Sequence, residues 1–192
     1  MNKPIRRWMV FLVCIAFAGQ LLVGCSAKSQ GVKTDRSDKK QLKIGFTIDT
    51  LVLERWTRDR DVFTAVAQEL GAQVDVQNAN NNLEKQKKQI EDFIAQKMDV
   101  IVIVAVDSYG LTEEVDKAKS EGIRVISYDR LIKSDAVSYY ISFDNYTVGT
   151  LQGQYVIDTL DLDNAGDKTY NIEFTAGDPA DNNAGYFFNG AY

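Results

Sequence analysis

An α/β fold with a doubly wound parallel sheet, followed by the start of a second, incomplete α/β lobe, is what the sequence predicts, and three observations predict it. The run Val100-Ile101-Val102-Ile103-Val104 is apolar at every position, which suits a central parallel strand covered by helices on both faces. Strand-like segments begin near residues 42, 72, 99 and 123, a recurrence of about 25–30 residues, the size of a βαβ unit. Helical patterns fill the intervals, and right-handed crossovers then wind the sheet.

Each element has its own signature. Leu42 to Ile48, Ala72 to Val76, Val100 to Val106, Ile123 to Ser127 and Tyr139 to Phe143 have strand composition. Val62, Val66 and Leu70 recur at helical spacing, and Gly71 follows as a stop. Leu83, Lys87, Ile90, Ile94 and Met98 mark a second helix, with the alkyl stem of Lys87 completing the stripe. Leu111, Val115 and Ala118 mark a third, ended by Gly122. Asn145 to Leu160 reads as a further helix through Val148, Leu151, Tyr155 and Thr159. Asp161 to Lys168 is a polar loop, Tyr170 to Thr175 a further strand, and the pattern turns helical again from Asn182 to the last residue, Tyr192. One strand and one helix cannot build a core of their own. The expectation is therefore a lobe over residues 42–149 and the beginning of a second over 150–192, with the chain stopping inside it.

The amino terminus does not belong to this pattern. Lys3, Arg6 and Arg7 precede an apolar stretch from Trp8 to Leu22, and Leu22-Val23-Gly24-Cys25 closes it. This is the layout of a secretory signal over residues 1–24. The last four residues resemble a bacterial lipobox, which implies lipidation of Cys25 and anchoring on the extracytoplasmic face of the membrane. Removing the signal takes away three basic residues and no acidic ones, moving the formal charge from −5 to −8. Residues 25–41 are polar and read as a lipidated tether.

Composition removes several functions. With no His among the 192 residues there is no Ser-His-Asp or Cys-His catalytic set and no His-ligated metal. An acidic balance of 27 Asp and Glu against 22 Lys and Arg opposes nucleic-acid binding. The phosphate-cradling motifs G-x-x-x-x-G-K-[ST] and G-x-G-x-x-G are missing, as is a G-x-S-x-G elbow. Asp161 to Gly166 opens like a calcium loop, but Ala165 and Ile172 stand where ligands are needed. No enzyme, cofactor or metal is expected.

The functional signal lies where strands end, because ligands of open α/β sheets bind beyond the carboxyl ends. The first strand runs into Asp49 and on to Arg55-Trp56, the third into Asp107-Ser108, the fourth into Tyr128-Asp129-Arg130. The segment Asp178-Pro179-Ala180-Asp181-Asn182-Asn183 follows the strand expected in the second lobe. One rim thus collects Arg, Asp, Asn and aromatic groups. Guanidinium forks and carboxylates form charge-assisted bonds to hydroxyls, Asn both donates and accepts, and aromatic faces cover the C–H side of a sugar ring.

Four segments, Leu53-Glu54-Arg55-Trp56, Ile126 to Ile132, Tyr140 to Asn145 and Asp178 to Ala184, resemble the D-xylose-binding and multiple-monosaccharide-binding proteins of bacterial ABC importers, members of the type 1 periplasmic-binding-protein fold. The resemblance spans about residues 42–192, the amino-terminal half of that family. It implies that Arg55 hydrogen-bonds sugar hydroxyls and Trp56 stacks on the ring. It implies a second fork from Arg130 with Asp129 beside it, and Asp181, Asn183 and Phe187 reaching in from the second lobe. Plainer roles remain open for some of these. Asp129 and Arg130 also fit a surface ion pair, Trp56 a first-turn residue packed on the sheet, and Asp181 a helix cap. The family's partners are a monosaccharide ligand and an ABC permease, the alternative being a membrane histidine kinase that reads a sugar-loaded state; the family implies a monomer. With the carboxyl-terminal half absent, lobe closure is expected to be incomplete and sugar binding weak or lost, which calorimetric titration of residues 26–192 with xylose, glucose and arabinose checks.

Overall fold

The structure, a computed structural model, describes residues 40–192. The signal segment, Cys25 and the tether through residue 39 lie outside the described residues. In chain order the elements are β1 (Lys43–Ile48), α1 (Glu54–Glu69), β2 (Gln73–Asn78), α2 (Leu83–Ala95), β3 (Val100–Val104), α3 (Thr112–Ser120), β4 (Arg124–Tyr128), β5 (Tyr139–Ile141), α4 (Asn145–Leu160) and α5 (Asn182–Ala191). The five strands form one sheet in the order β2-β1-β3-β4-β5, and every neighbouring pair is parallel.

The central strand explains the continuous apolar run. Successive side chains of a strand face opposite sides. Ile101 and Ile103 enter a cluster with Ile90, Phe93, Leu111, Val115 and Val125. Val102 and Val104 enter another with Ile44, Phe46, Ile48, Trp56 and Ala67. Each fully buried aliphatic side chain contributes about 1.5–3 kcal/mol, so β3 anchors both layers. On the α2 side β1 carries Gly45, where a Cβ would sit 2.6 Å from the Phe93 ring. Glycine here makes room for an aromatic that fills the space between sheet and helix.

Polar side chains also tie α2 to the sheet. Gln86 is buried, accepting from the Val106 amide and donating to the Val104 carbonyl, both at 2.8 Å. Gln89 accepts from Thr47 Oγ1 at 2.7 Å and donates to the Asn78 carbonyl at 3.0 Å. These amides satisfy backbone groups at the strand ends that would otherwise be buried without partners. Lys87, expected in the stripe, is partly buried and pairs with Glu84.

Three expectations need correction. Val62, Val66 and Leu70 face outward, at 57%, 50% and 82% exposure. The face of α1 against the sheet is Trp56, Phe63 and Ala67. Neighbouring positions on a helix point about 100° apart, so a stripe displaced by one residue looks equally helical yet misses the core. Likewise Leu151 and Tyr155 of α4 are exposed, and the inner face is made by glycines. A Cβ on Gly149 would lie 2.2 Å from the Phe187 carbonyl oxygen, one on Gly153 2.5 Å from that of Ala191, and one on Gly190 2.1 Å from that of Tyr146. Helices α4 and α5 therefore meet backbone to backbone. Finally, Tyr170 to Thr175 is not a strand among the described residues. Its β-favouring composition has no neighbouring strand with which to form a ladder.

Gly149→Ala is expected to destabilise the fold by about 1–3 kcal/mol through overpacking. Gly185→Ala, where the added Cβ meets nothing within 4 Å, is expected to be neutral or stabilising by up to about 1 kcal/mol. Chemical denaturation of both variants checks the pair.

Candidate functional site

At the carboxyl end of β4 the chain makes a turn in which Asp129 has a φ of +64°. Left-handed backbone is unusual for a side chain other than Gly, although Asp tolerates it better than most. The Arg130 amide donates to the Tyr128 carbonyl at 2.8 Å across this turn. Ser127 braces it, donating its hydroxyl to the Arg130 carbonyl at 2.6 Å and accepting from the Ile132 amide at 2.9 Å. Consecutive side chains, Asp129 and Arg130, thereby enter the same region as the end of β1.

Asp129 is a hub. One carboxylate oxygen accepts from Arg55 Nη2 at 2.5 Å, and the other from Asn183 Nδ2 at 3.1 Å. Its carbonyl accepts from Asn183 Nδ2 and from the Tyr140 hydroxyl, both at 3.2 Å. Asn183 in turn accepts from Asn145 Nδ2 at 2.8 Å. Asp129, Asn145 and Asn183 are all buried, so this network joins β4, α4 and α5 with its polar atoms matched.

Arg55 stands in the first turn of α1, where the helix dipole disfavours a cation. Three features offset that: Asp129, Asp59 Oδ2 at 3.6 Å from its Nε, and aromatic faces on two sides. The guanidinium carbon is 4.4 Å from the Trp56 ring centre and 5.4 Å from that of Phe143, a cation–π arrangement. Burial acts to lower the Arg55 pKa, but the Asp129 hydrogen bond and the Asp129 and Asp59 charges outweigh it and raise the pKa. Tyr128 donates to Asp59 at 2.9 Å, and burial together with that partner holds its hydroxyl above the usual tyrosine range.

Arg130 makes a second cluster. Its Nη1 lies 2.8 Å from Asp49 Oδ2 and donates to the Ala105 carbonyl at 3.0 Å; its Nε lies 3.2 Å from Asp181 Oδ2. The other oxygen of Asp181 caps α5, accepting from the Asn183 amide at 2.9 Å, so Asp181 both caps and pairs. Asp49 is 1% exposed, and neither of its oxygens has an aligned hydrogen-bond donor. Burial pushes its carboxyl above the usual range, with the Arg130 charge pulling the other way. The folded chain thus keeps this proton to higher pH than the unfolded chain, and the Asp49 contribution to stability falls as pH rises through that window. Ser108, also buried, receives the segment that leads into α5: its amide donates to the Ala180 carbonyl at 3.0 Å and its hydroxyl accepts from the Asn182 amide at 3.2 Å.

Of the residues singled out in the sequence, Arg55, Asp129, Arg130, Asp181 and Asn183 come together here. Trp56 does not present a ring face: it is 3% exposed in the core, beneath the Arg55 guanidinium, in the packed first-turn position. Phe187 lines a mostly apolar cavity of about 710 Å³ with Phe174, Phe188 and Gly153, and Asp181, the partner of Arg130, stands on the same lining. The half-open aromatic beside Arg55 is Phe143, 67% exposed. Sequence reading placed Asp49 and Ser108 on the rim without a role, and it did not single out Asn145 or Phe143 as site residues.

Asp129→Ala is expected to cost about 1.5–3 kcal/mol, the value of a hydrogen bond to a charged group, because Arg55 and Asn183 lose their shared acceptor. Asp59→Asn, which keeps an acceptor for Tyr128 and loses only the longer, more exposed ion pair with Arg55, is expected to cost under about 1 kcal/mol. Urea denaturation of the two variants checks the order.

Comparison with known proteins bears on what such a site is for. The model of a periplasmic binding protein domain family matches residues 44–192. A D-xylose-binding periplasmic protein of Escherichia coli is 45% identical over 148 residues, covering 77% of this chain and 43% of that protein. A multiple sugar-binding periplasmic protein of Azospirillum brasilense is 42% identical over 149 residues, again 77% of this chain and 42% of the relative. Among solved structures, an ABC transporter solute-binding protein of Clostridium phytofermentans with bound β-D-glucose superposes with a TM-score of 0.75 at 42% identity, over 78% of this chain and 46% of that one. The chain spans less than half the length of these relatives.

Proposed function

The chain belongs to the periplasmic binding protein domain family, and from that premise we propose that it is the monosaccharide-binding component of an ABC sugar importer, contributing one wall of a sugar cleft and the root of the other. D-Xylose or a related aldose is the ligand class. One observation carries the reading: two guanidinium groups gather beyond the carboxyl ends of the strands, Arg55 paired with Asp129 and Arg130 paired with Asp49 and Asp181, while Asn183, two residues past Asp181, binds Asp129. A neutral sugar offers hydroxyls that both donate and accept, and this set supplies both kinds of partner at fixed spacing. Phe143, exposed next to Arg55, takes the role of the aromatic surface.

The relatives named for D-xylose and for multiple sugars, and the neighbour holding β-D-glucose, support the ligand class. The amino-terminal signal and lipobox support delivery to the extracytoplasmic face with Cys25 as the lipid anchor and the permease as membrane partner. Among the described residues no helix is long and apolar enough to cross a membrane.

NMR titration of the purified chain with xylose, glucose and arabinose tests the proposal. The expected result is saturable shifts at Arg55, Arg130, Asn145 and Asn183, reduced about tenfold in affinity by Arg130→Ala, the loss of a charged hydrogen bond. Saturable shifts that leave Arg55, Arg130, Asn145 and Asn183 unmoved overturn the sugar reading of this site. Micromolar affinity overturns the partial-cleft reading.

A further inference from the structure

The Arg130 guanidinium is held unequally on its two sides. Its Nη1, on the side of the side-chain stem, contacts Asp49 and the Ala105 carbonyl. Its opposite edge, Nε and Nη2, is the one that binds oxygens in a bidentate fork. On that edge Nε meets Asp181 at 3.2 Å, and Nη2 has no partner among the described residues. Asp181 is partly exposed and belongs to the segment that leads into α5.

Asp49 differs from Asp181 in every relevant respect. Both its oxygens are sealed from solvent, so no ligand reaches them. Its position is set by β1, next to the Ile48 end of the strand, in the most buried layer of the fold. A buried carboxylate without aligned donors is costly unless a cation stands against it, and Arg130 is that cation. Asp49 and Ala105 thus hold the inner corner of the guanidinium against the ends of β1 and β3.

We propose that Asp49 is a positioning residue: from beneath, it stops the Arg130 guanidinium from turning about its Nε–Cζ bond, so that the Nε/Nη2 edge stays presented for a sugar hydroxyl or, in its absence, for Asp181. The inference rests on the sugar-binding reading for what the edge is used for, but the restraint on rotation stands apart from it. Asp49 is the fixed partner and Asp181 the exchangeable one.

Side-chain 15N NMR of the full chain tests this, with Arg130→Lys identifying the Arg130 guanidinium signals. In the wild type, separate Nη signals from slow rotation are expected. In Asp49→Asn, which keeps the shape and removes the charge, rotation is expected to quicken about tenfold, as the loss of a charged contact predicts, while the melting profile shows that the variant is folded. Asp181→Asn is expected to leave slow rotation in place. Fast rotation in the wild type, unchanged rotation in Asp49→Asn, or rotation freed by Asp181→Asn overturns the proposal. Fast rotation in the wild type or in Asp181→Asn overturns the proposal even where Asp49→Asn does not fold. In sugar titrations Asp49→Asn is expected to weaken binding about tenfold, and unaltered affinity with freed rotation overturns the link to ligand. A wild type that responds to no sugar removes the link to ligand while leaving the rotation result to judge Asp49.

Discussion

The carboxylate of Asp129 is where three stretches of chain meet. It takes a hydrogen bond from Arg55 at the start of α1 and another from Asn183 at the start of α5, and it sits on a left-handed turn at the end of β4. A residue in that conformation persists only where its surroundings over-determine it. Here the over-determination is visible in Ser127 beneath the turn, Tyr140 on its carbonyl and Asn183 on both carbonyl and side chain. Neutralising the carboxylate would leave a guanidinium and a buried amide short of partners at once.

On the proposed reading, the arrangement prepares the site for a ligand that carries no charge. Arg55 and Arg130 are each already matched to carboxylates, so the region is not left as a patch of bare positive charge. A hydroxyl entering such a site exchanges with existing partners and leaves the charge balance as it was. Net affinity is then the small difference between similar bonds, and discrimination between sugars follows from geometry more than from attraction.

Much of the fold was legible in the sequence because parallel sheets write strong signals. The apolar run at 100–104, glycine stops at 71 and 122, and the rule that ligands gather at strand ends led directly to Asp129, Arg130 and Arg55. What was not legible had physical causes. Rotating a helix by one residue leaves its periodicity unchanged, so Val62, Val66 and Leu70 look like a core face while Trp56, Phe63 and Ala67 form it. The same ambiguity hid that Trp56 packs in the core with the Arg55 guanidinium over its ring. Helices α4 and α5 touch through glycines, and contact made by backbone leaves no hydrophobic pattern to read. Gln86 and Gln89 interrupt an apolar stripe because their partners are strand-end backbone groups far along the chain. Tyr170 to Thr175 has strand propensity, but propensity is realised only against a neighbour.

The glycine seam between α4 and α5 has a mechanical meaning. With backbones seated against each other at Gly149, Gly153 and Gly190, the two helices have little freedom to slide or splay. They form one stiff body joined to the sheet by the stretch from Ile141 to Asp144, by the contact of Ala180 and Asn182 with Ser108, and by the pairings of Asn183 with Asp129 and of Asp181 with Arg130. Any displacement of this body against the sheet would therefore strain the pairings of Asp129 and Arg130 first.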